Sequence, residues 1–149
     1  MRYLGLDLGT KTLGISISDK LGIVASTYKT IRFEDSNYDS VIPELIEIIN
    51  QEKIDCIVLG LPKNMNNTYG DATTRSMNFK QILEQNTNIE IVLQDERLTT
   101  VEADNYMIQA GIRRKKRKQK VDSLAANIIL QTYLDKVRGG NYGKWKNDF

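Results

Sequence analysis

A chain of 149 residues with 40% hydrophobic content is long enough to bury one proper core and too short for two full domains. It contains no histidine, which excludes histidine general-base chemistry and the usual zinc sites, and leaves carboxylates, lysine, hydroxyls or a hard metal ion for any hydrolysis. The net charge is only +2, yet residues 113–120, RRKKRKQK, hold seven basic side chains in eight; without them 14 basic side chains face 19 acidic ones, a body of about −5 that points to a local contact with a polyanion.

No stretch approaches the length of a membrane span, and the opening residues show no signal-peptide pattern. The single cysteine, Cys56, lies in the apolar run IDCIVLGLP and reads as a small core residue. The expectation is a disulfide-free protein of the cytoplasm, with no membrane partner.

In chain order, the first third predicts three consecutive strands over residues 2–8, 12–19 and 22–33, with turns at Gly9-Thr10-Lys11 and Asp19-Lys20. The segment SNYDSVIPELIEIINQEK then carries Val41, Leu45, Ile48 and Ile49 at helical spacing, with Pro43 in the first turn, where a missing N–H does no harm. A fourth strand over 54–61 is apolar throughout, as suits a parallel strand covered on both faces. A polar loop over 62–72, a helix over 73–86 and a fifth strand over 89–93 follow. Thr99 and Glu102 form the capping box of a helix ending near Gly111, and the basic run comes next as a loop. A last helix spans 122–137, with Val121, Leu124, Ala125, Ile128 and Ile129 on its inward stripe. This order gives an α/β domain over 1–138, a mixed five-stranded sheet with three antiparallel strands and then βα units, with helices on both faces; the Gly-rich tail 139–149 is expected to be flexible.

The acids of this frame carry the chemistry. Alternation in LGLDLGTKTLGISISD places Leu4, Leu6 and Leu8 on one face of the first strand and Gly5, Asp7 and Gly9 on the other. A mid-strand aspartate is costly to bury unless it is paired or binds a cation. Its glycine neighbours leave room for something bulky and negative, such as phosphate held through a metal ion. Glu96 follows the fifth strand, where ligand sites of open α/β sheets lie, and Asp122 opens the last helix. Each acid also has an ordinary role open to it: Asp122 as a favourable charge at a helix N-terminus, Glu96 as a surface partner of Arg97. Three carboxylates brought together repel one another unless cations lie between them. Two Mg²⁺ or Mn²⁺ ions roughly 3.5–4 Å apart would clamp the attacking and leaving oxygens of a phosphodiester and need no histidine base.

LGLDLGTKTLGISISD, IVLGLP, LQDERLTT and KVDSLAANIIL together, in this order, resemble the YqgF/RuvX family up to about residue 137. The resemblance implies a ribonuclease H-like fold and a nuclease of the kind named for pre-16S rRNA processing, and also for Holliday junction resolution. It implies an acidic triad, catalytic and metal-binding, at Asp7, Glu96 and Asp122, with Arg97, Thr99 and Thr100 in the same motif as Glu96. Lys11, in the first loop, is implied as a phosphate contact. The chain departs from the common family pattern at Thr12, where Arg is usual, and at Met65-Asn66-Asn67. Arg113, Arg114, Lys115, Lys116, Arg117, Lys118 and Lys120 lie just ahead of Asp122, and are expected to hold a nucleic-acid backbone across the site.

Three functions compete at this point. The first is a metal-dependent nuclease of ribosome biogenesis that matures the 5′ end of pre-16S rRNA, working on structured RNA alone or on the pre-ribosome; its variant is a resolvase of branched DNA. The second is an actin-like or Hsp70-like ATPase, suggested by the Asp-x-Gly-Thr of the opening motif, which would need a second such domain. The third is a nucleic-acid-binding module without catalysis, against which the three intact acids speak. The chain reads equally as a monomer or a homodimer. Junction resolution requires two active sites acting together, so a stable monomer would count against it.

Overall fold

The computed structural model describes residues 1–62, 71–95 and 124–138. β1 (Tyr3–Leu8), β2 (Thr12–Ser18) and β3 (Ala25–Arg32) run antiparallel in succession. A short 3-10 turn (Tyr38–Val41) leads into α1 (Ile42–Gln51), followed by β4 (Cys56–Leu61), α2 (Asp71–Asn86) and β5 (Glu90–Asp95). A last helix, α3, covers 124–138. The strand order is β3-β2-β1-β4-β5, with β1 parallel to β4 and β4 parallel to β5. The expected mixed five-stranded sheet is therefore present.

Alternation along the strands makes the two faces different. Leu4, Leu6, Leu8, Leu13, Ile15, Ile57 and Leu59 pack with Leu45 and Ile48 of α1 and with Phe79 and Leu83 of α2. On the other face Val58 packs with Ile129, Leu130 and Leu134 of α3, with Tyr3 and Val92 at the margin. β4, buried on both sides, is the parallel strand that its unbroken apolar run predicts.

Several boundaries differ from expectation. The second turn is longer than Asp19-Lys20, because the Asp19 carboxylate accepts the backbone N–H groups of Ile23 and Val24, at 2.7 and 3.0 Å, and Gly22 takes a left-handed φ of 69°. Those bonds hold the Asp19 carboxyl below its usual range, and β3 begins only at Ala25. α1 starts at Ile42 with Pro43 in its first turn, as expected, whereas Tyr38–Val41 ahead of it form a 3-10 turn that the sequence did not announce. α2 begins two residues before the expected 73. β5 runs two residues past 93, because Gly60↔Gln94 and Leu61↔Asp95 continue the ladder. On α3 the fully buried residues are Ala125, Ala126, Ile129, Leu130 and Leu134, whereas Leu124 and Ile128 are only half-buried. The stripe is rotated because α3 settles on a glycine: a Cβ at Gly5 would lie 2.7 Å from Leu130 Cβ and 3.1 Å from the Ala126 carbonyl oxygen. The loop at 63–70, the capped helix from Thr99, the basic run and the tail 139–149 lie outside the described residues.

Candidate active site

Asp7 sits one residue from the end of β1, half-buried, on the face that α3 covers further back along the sheet. Its cross-strand partner on β2 is Gly14. On the other side, one step beyond the paired Leu6 and Leu59, comes Gly60, which pairs with Gln94 of β5. Directly opposed residues share a face of a sheet, so Gly14, Asp7, Gly60 and Gln94 form one row. Along its own strand Asp7 lies between Gly5 and Gly9 on that face. The carboxylate thus has glycine at all four neighbouring lattice positions. The sequence shows the two glycines along the strand. The two across it, and Gln94, escape sequence reasoning because they depend on register.

α3 is anchored behind this row. The Ser16 hydroxyl donates to the Ala126 carbonyl at 2.9 Å, and the Gln131 side chain accepts from the Ala25 N–H at 2.8 Å and donates to the Ile23 carbonyl at 3.0 Å. The rings of Tyr133 and Tyr3 meet at 5.9 Å, while Leu130 and Ala126 lie over Gly5. Successive contacts therefore run backwards along α3 as they run forwards along β1. The helix is antiparallel to the strand, and its N-terminal end is directed towards the Asp7 row.

Lys11 is exposed in the loop after β1, which is tied to the chain beyond β3 by Phe33 N–H to the Lys11 carbonyl and Ser36 N–H to the Thr10 carbonyl, both 2.9 Å. Glu96, Arg97, Thr99, Thr100, Asp122 and the seven basic residues Arg113, Arg114, Lys115, Lys116, Arg117, Lys118 and Lys120 lie outside the described residues. Among the described residues no group of three His, Cys, Asp or Glu side chains comes together. The donor that is described suits a hard divalent cation: a carboxylate flanked by glycines along and across its strand, in a chain without imidazole. Among the described residues no helix is long and apolar enough to cross a membrane.

The family model described as RuvX, Holliday junction resolvase, matches residues 1–136. Proteins named "Putative pre-16S rRNA nuclease" from Bacillus pumilus and Bacillus subtilis are each 47% identical over 137 residues, covering 92% of this chain and 99% of theirs. One of the same name from Clostridium acetobutylicum is 46% identical over 137 residues, covering 92% of this chain and 100% of its own. Among solved structures, Thermus thermophilus RuvC in complex with a Holliday junction substrate superposes with a TM-score of 0.64 at 12% identity, covering 94% of this chain and 96% of that one. The fowlpox virus resolvase with its Holliday junction DNA gives 0.54 at 14% identity, covering 92% and 99%. At such identities the likeness is one of fold, and the fold is ribonuclease H-like.

Proposed function

The chain belongs to the RuvX family, and from that premise we propose that it is a metal-dependent endonuclease that matures the 5′ end of pre-16S rRNA in the cytoplasm. The observation that carries this reading is the row Gly14–Asp7–Gly60–Gln94, a carboxylate with a glycine on either side of it across the sheet, at the carboxyl ends of β1 and β4. Asp7 is the proposed central ligand of Mg²⁺ or Mn²⁺, with Glu96 and Asp122 completing the set.

Connectivity supports that assignment. Glu96 is the residue after Asp95, the last of β5, which pairs with Leu61 at the end of β4. In the sequence Asp122 precedes the described start of α3 by two residues, and the described N-terminal end of α3 is directed towards the Asp7 row. Bound divalent cations would supply positive charge to the phosphate oxygens and make a bound water acidic. The chain's own share is to hold the three carboxylates in place and to grip the substrate backbone with Lys11, Arg97 and residues 113–120, contacts that position without reading sequence.

Relatives at 47% identity carry the rRNA nuclease name, whereas the junction-bound structures are related at 12% and 14%. This favours structured RNA, on its own or within the pre-ribosome, as the substrate. The resolvase reading draws on the family's description and on those junction complexes. The two are separated by offering the purified protein, with Mn²⁺, a 5′-extended 16S rRNA precursor and a four-way DNA junction side by side. Cutting of the RNA is the expected result. Cutting of the junction alone would replace the substrate, and RNA binding without cutting would favour a binding module.

A further inference from the structure

The ladder between β2 and β3 contains one irregularity. Ile15 pairs with Lys29 and Ser16 with Thr27, so Tyr28 is an extra residue on β3. Before it, β3 turns Ala25 and Thr27 towards the face that carries α3 and Asp7. Uninterrupted alternation would carry Ile31 onto that face as well. The bulge reverses the phase. Ile31, only 8% exposed, enters the core with α1, and the Lys29 ammonium reaches Glu44 on α1. Thr30 and Arg32 then fall on Asp7's face, Thr30 opposite Gly14 and Arg32 opposite Thr12. Bulges beside functional sites commonly re-aim a side chain in this way.

Arg32 is exposed, and among the described residues it makes no ion pair, although Glu34 and Asp35 follow it closely. It lies two strands across and two residues along from Asp7, about 12 Å by the regular spacings of a sheet. The loop carrying Lys11 is bonded to the residues just after Arg32, so both cations stand on one braced corner of the sheet. We propose that Arg32 is a substrate-positioning residue that binds a backbone phosphate of RNA on the β3 side of Asp7. A guanidinium suits this task because it stays charged and offers a planar fork of donors to phosphate oxygens.

This rests on the nuclease reading, but its test is separate. Binding of a fluorescein-labelled RNA spanning the mature 5′ end of 16S rRNA is titrated at several salt concentrations, in an Asp7→Asn background so that no cleavage interferes. Arg32→Gln is expected to weaken binding by about tenfold and to reduce the slope of log K against log salt by about 0.7–1. Arg32→Lys should retain the slope, and Lys29→Gln, on the opposite face, should leave affinity and slope unchanged. Unchanged affinity and slope in Arg32→Gln would overturn the proposal, as would an equal loss in Lys29→Gln or an absence of RNA binding by the Asp7→Asn parent. A wild-type chain that binds RNA through Arg32 yet cuts none would sink the nuclease reading and leave this one standing.

Discussion

At the scale of single residues, two polar groups on one face of the sheet differ in burial. Asp7 is half-buried beside Gly5 and Gly14; Cys56, 1% exposed, is enclosed on the same face of the sheet, beside Tyr3. Burial, with Glu90 and Asp55 adding to it, pushes the Cys56 thiol from 9.0 up to about 11. In the unfolded chain the thiol ionises first as the pH rises. Its contribution to stability is therefore whole below pH 9.0 and is lost as the pH climbs through about 11. Urea denaturation of Cys56→Ala across that window should show a shallower fall in stability than the wild type. Tyr3 and Tyr133, whose hydroxyls are also pushed up chiefly by burial, keep some of the slope. An equally steep fall in the variant would contradict the assignment. The place of Asp7 on the glycine face of β1 was legible from the sequence, because leucines on one parity and glycines on the other leave an aspartate conspicuous. Gly14 and Gly60 as its lateral neighbours were not, since their alignment depends on turn lengths and strand pairing.

At the scale of elements, the contact of α3 with β1 fixes where the helix lies on the face that carries Asp7. A Cβ on Gly5 would lie 2.4 Å from Ser16 Oγ and 2.7 Å from Leu130 Cβ, and the second of these atoms cannot swing aside without moving the helix. Gly5→Ala should cost about 1–3 kcal/mol in urea denaturation, the range typical of overpacking. Gly9→Ala, whose Cβ would meet the Thr12 hydroxyl at 3.2 Å and the Thr12 carbonyl oxygen at 3.4 Å, should cost clearly less. Equal costs would mean that α3 is free to shift. The existence and type of the described elements were readable from periodicity: β4 from its unbroken apolar run, α1 from Val41, Leu45, Ile48 and Ile49. The stripe of α3 was readable only in part. Its sequence is apolar around much of the helix, and the choice of Ala126 and Leu130 over Leu124 and Ile128 is made by the flat ground at Gly5 and the bond from Ser16. The phase change in β3 was also hidden, because a bulge leaves no mark in a pattern such as STYKTIR.

At the scale of the whole molecule, the order β3-β2-β1-β4-β5 puts β1 at the centre, with the carboxyl ends of β1, β4 and β5 at one edge and α3 pointing to that edge from one face. On the proposed reading, this arrangement would let acids far apart in the chain serve one site. In the sequence the basic run at 113–120 immediately precedes Asp122, in a body that is otherwise acidic, and the same proposal gives it the substrate backbone. The most direct test of the central claim is cleavage of the 5′-extended 16S rRNA precursor by wild type and Asp7→Asn, each with Mg²⁺ or Mn²⁺ and again with EDTA. Wild type should cut only with metal. Asp7→Asn should melt within a few degrees of wild type and lose more than the ~10–100-fold typical of residues that merely support metal ligands. An Asp7→Asn protein that cuts the precursor at the wild-type rate would contradict the account at its centre.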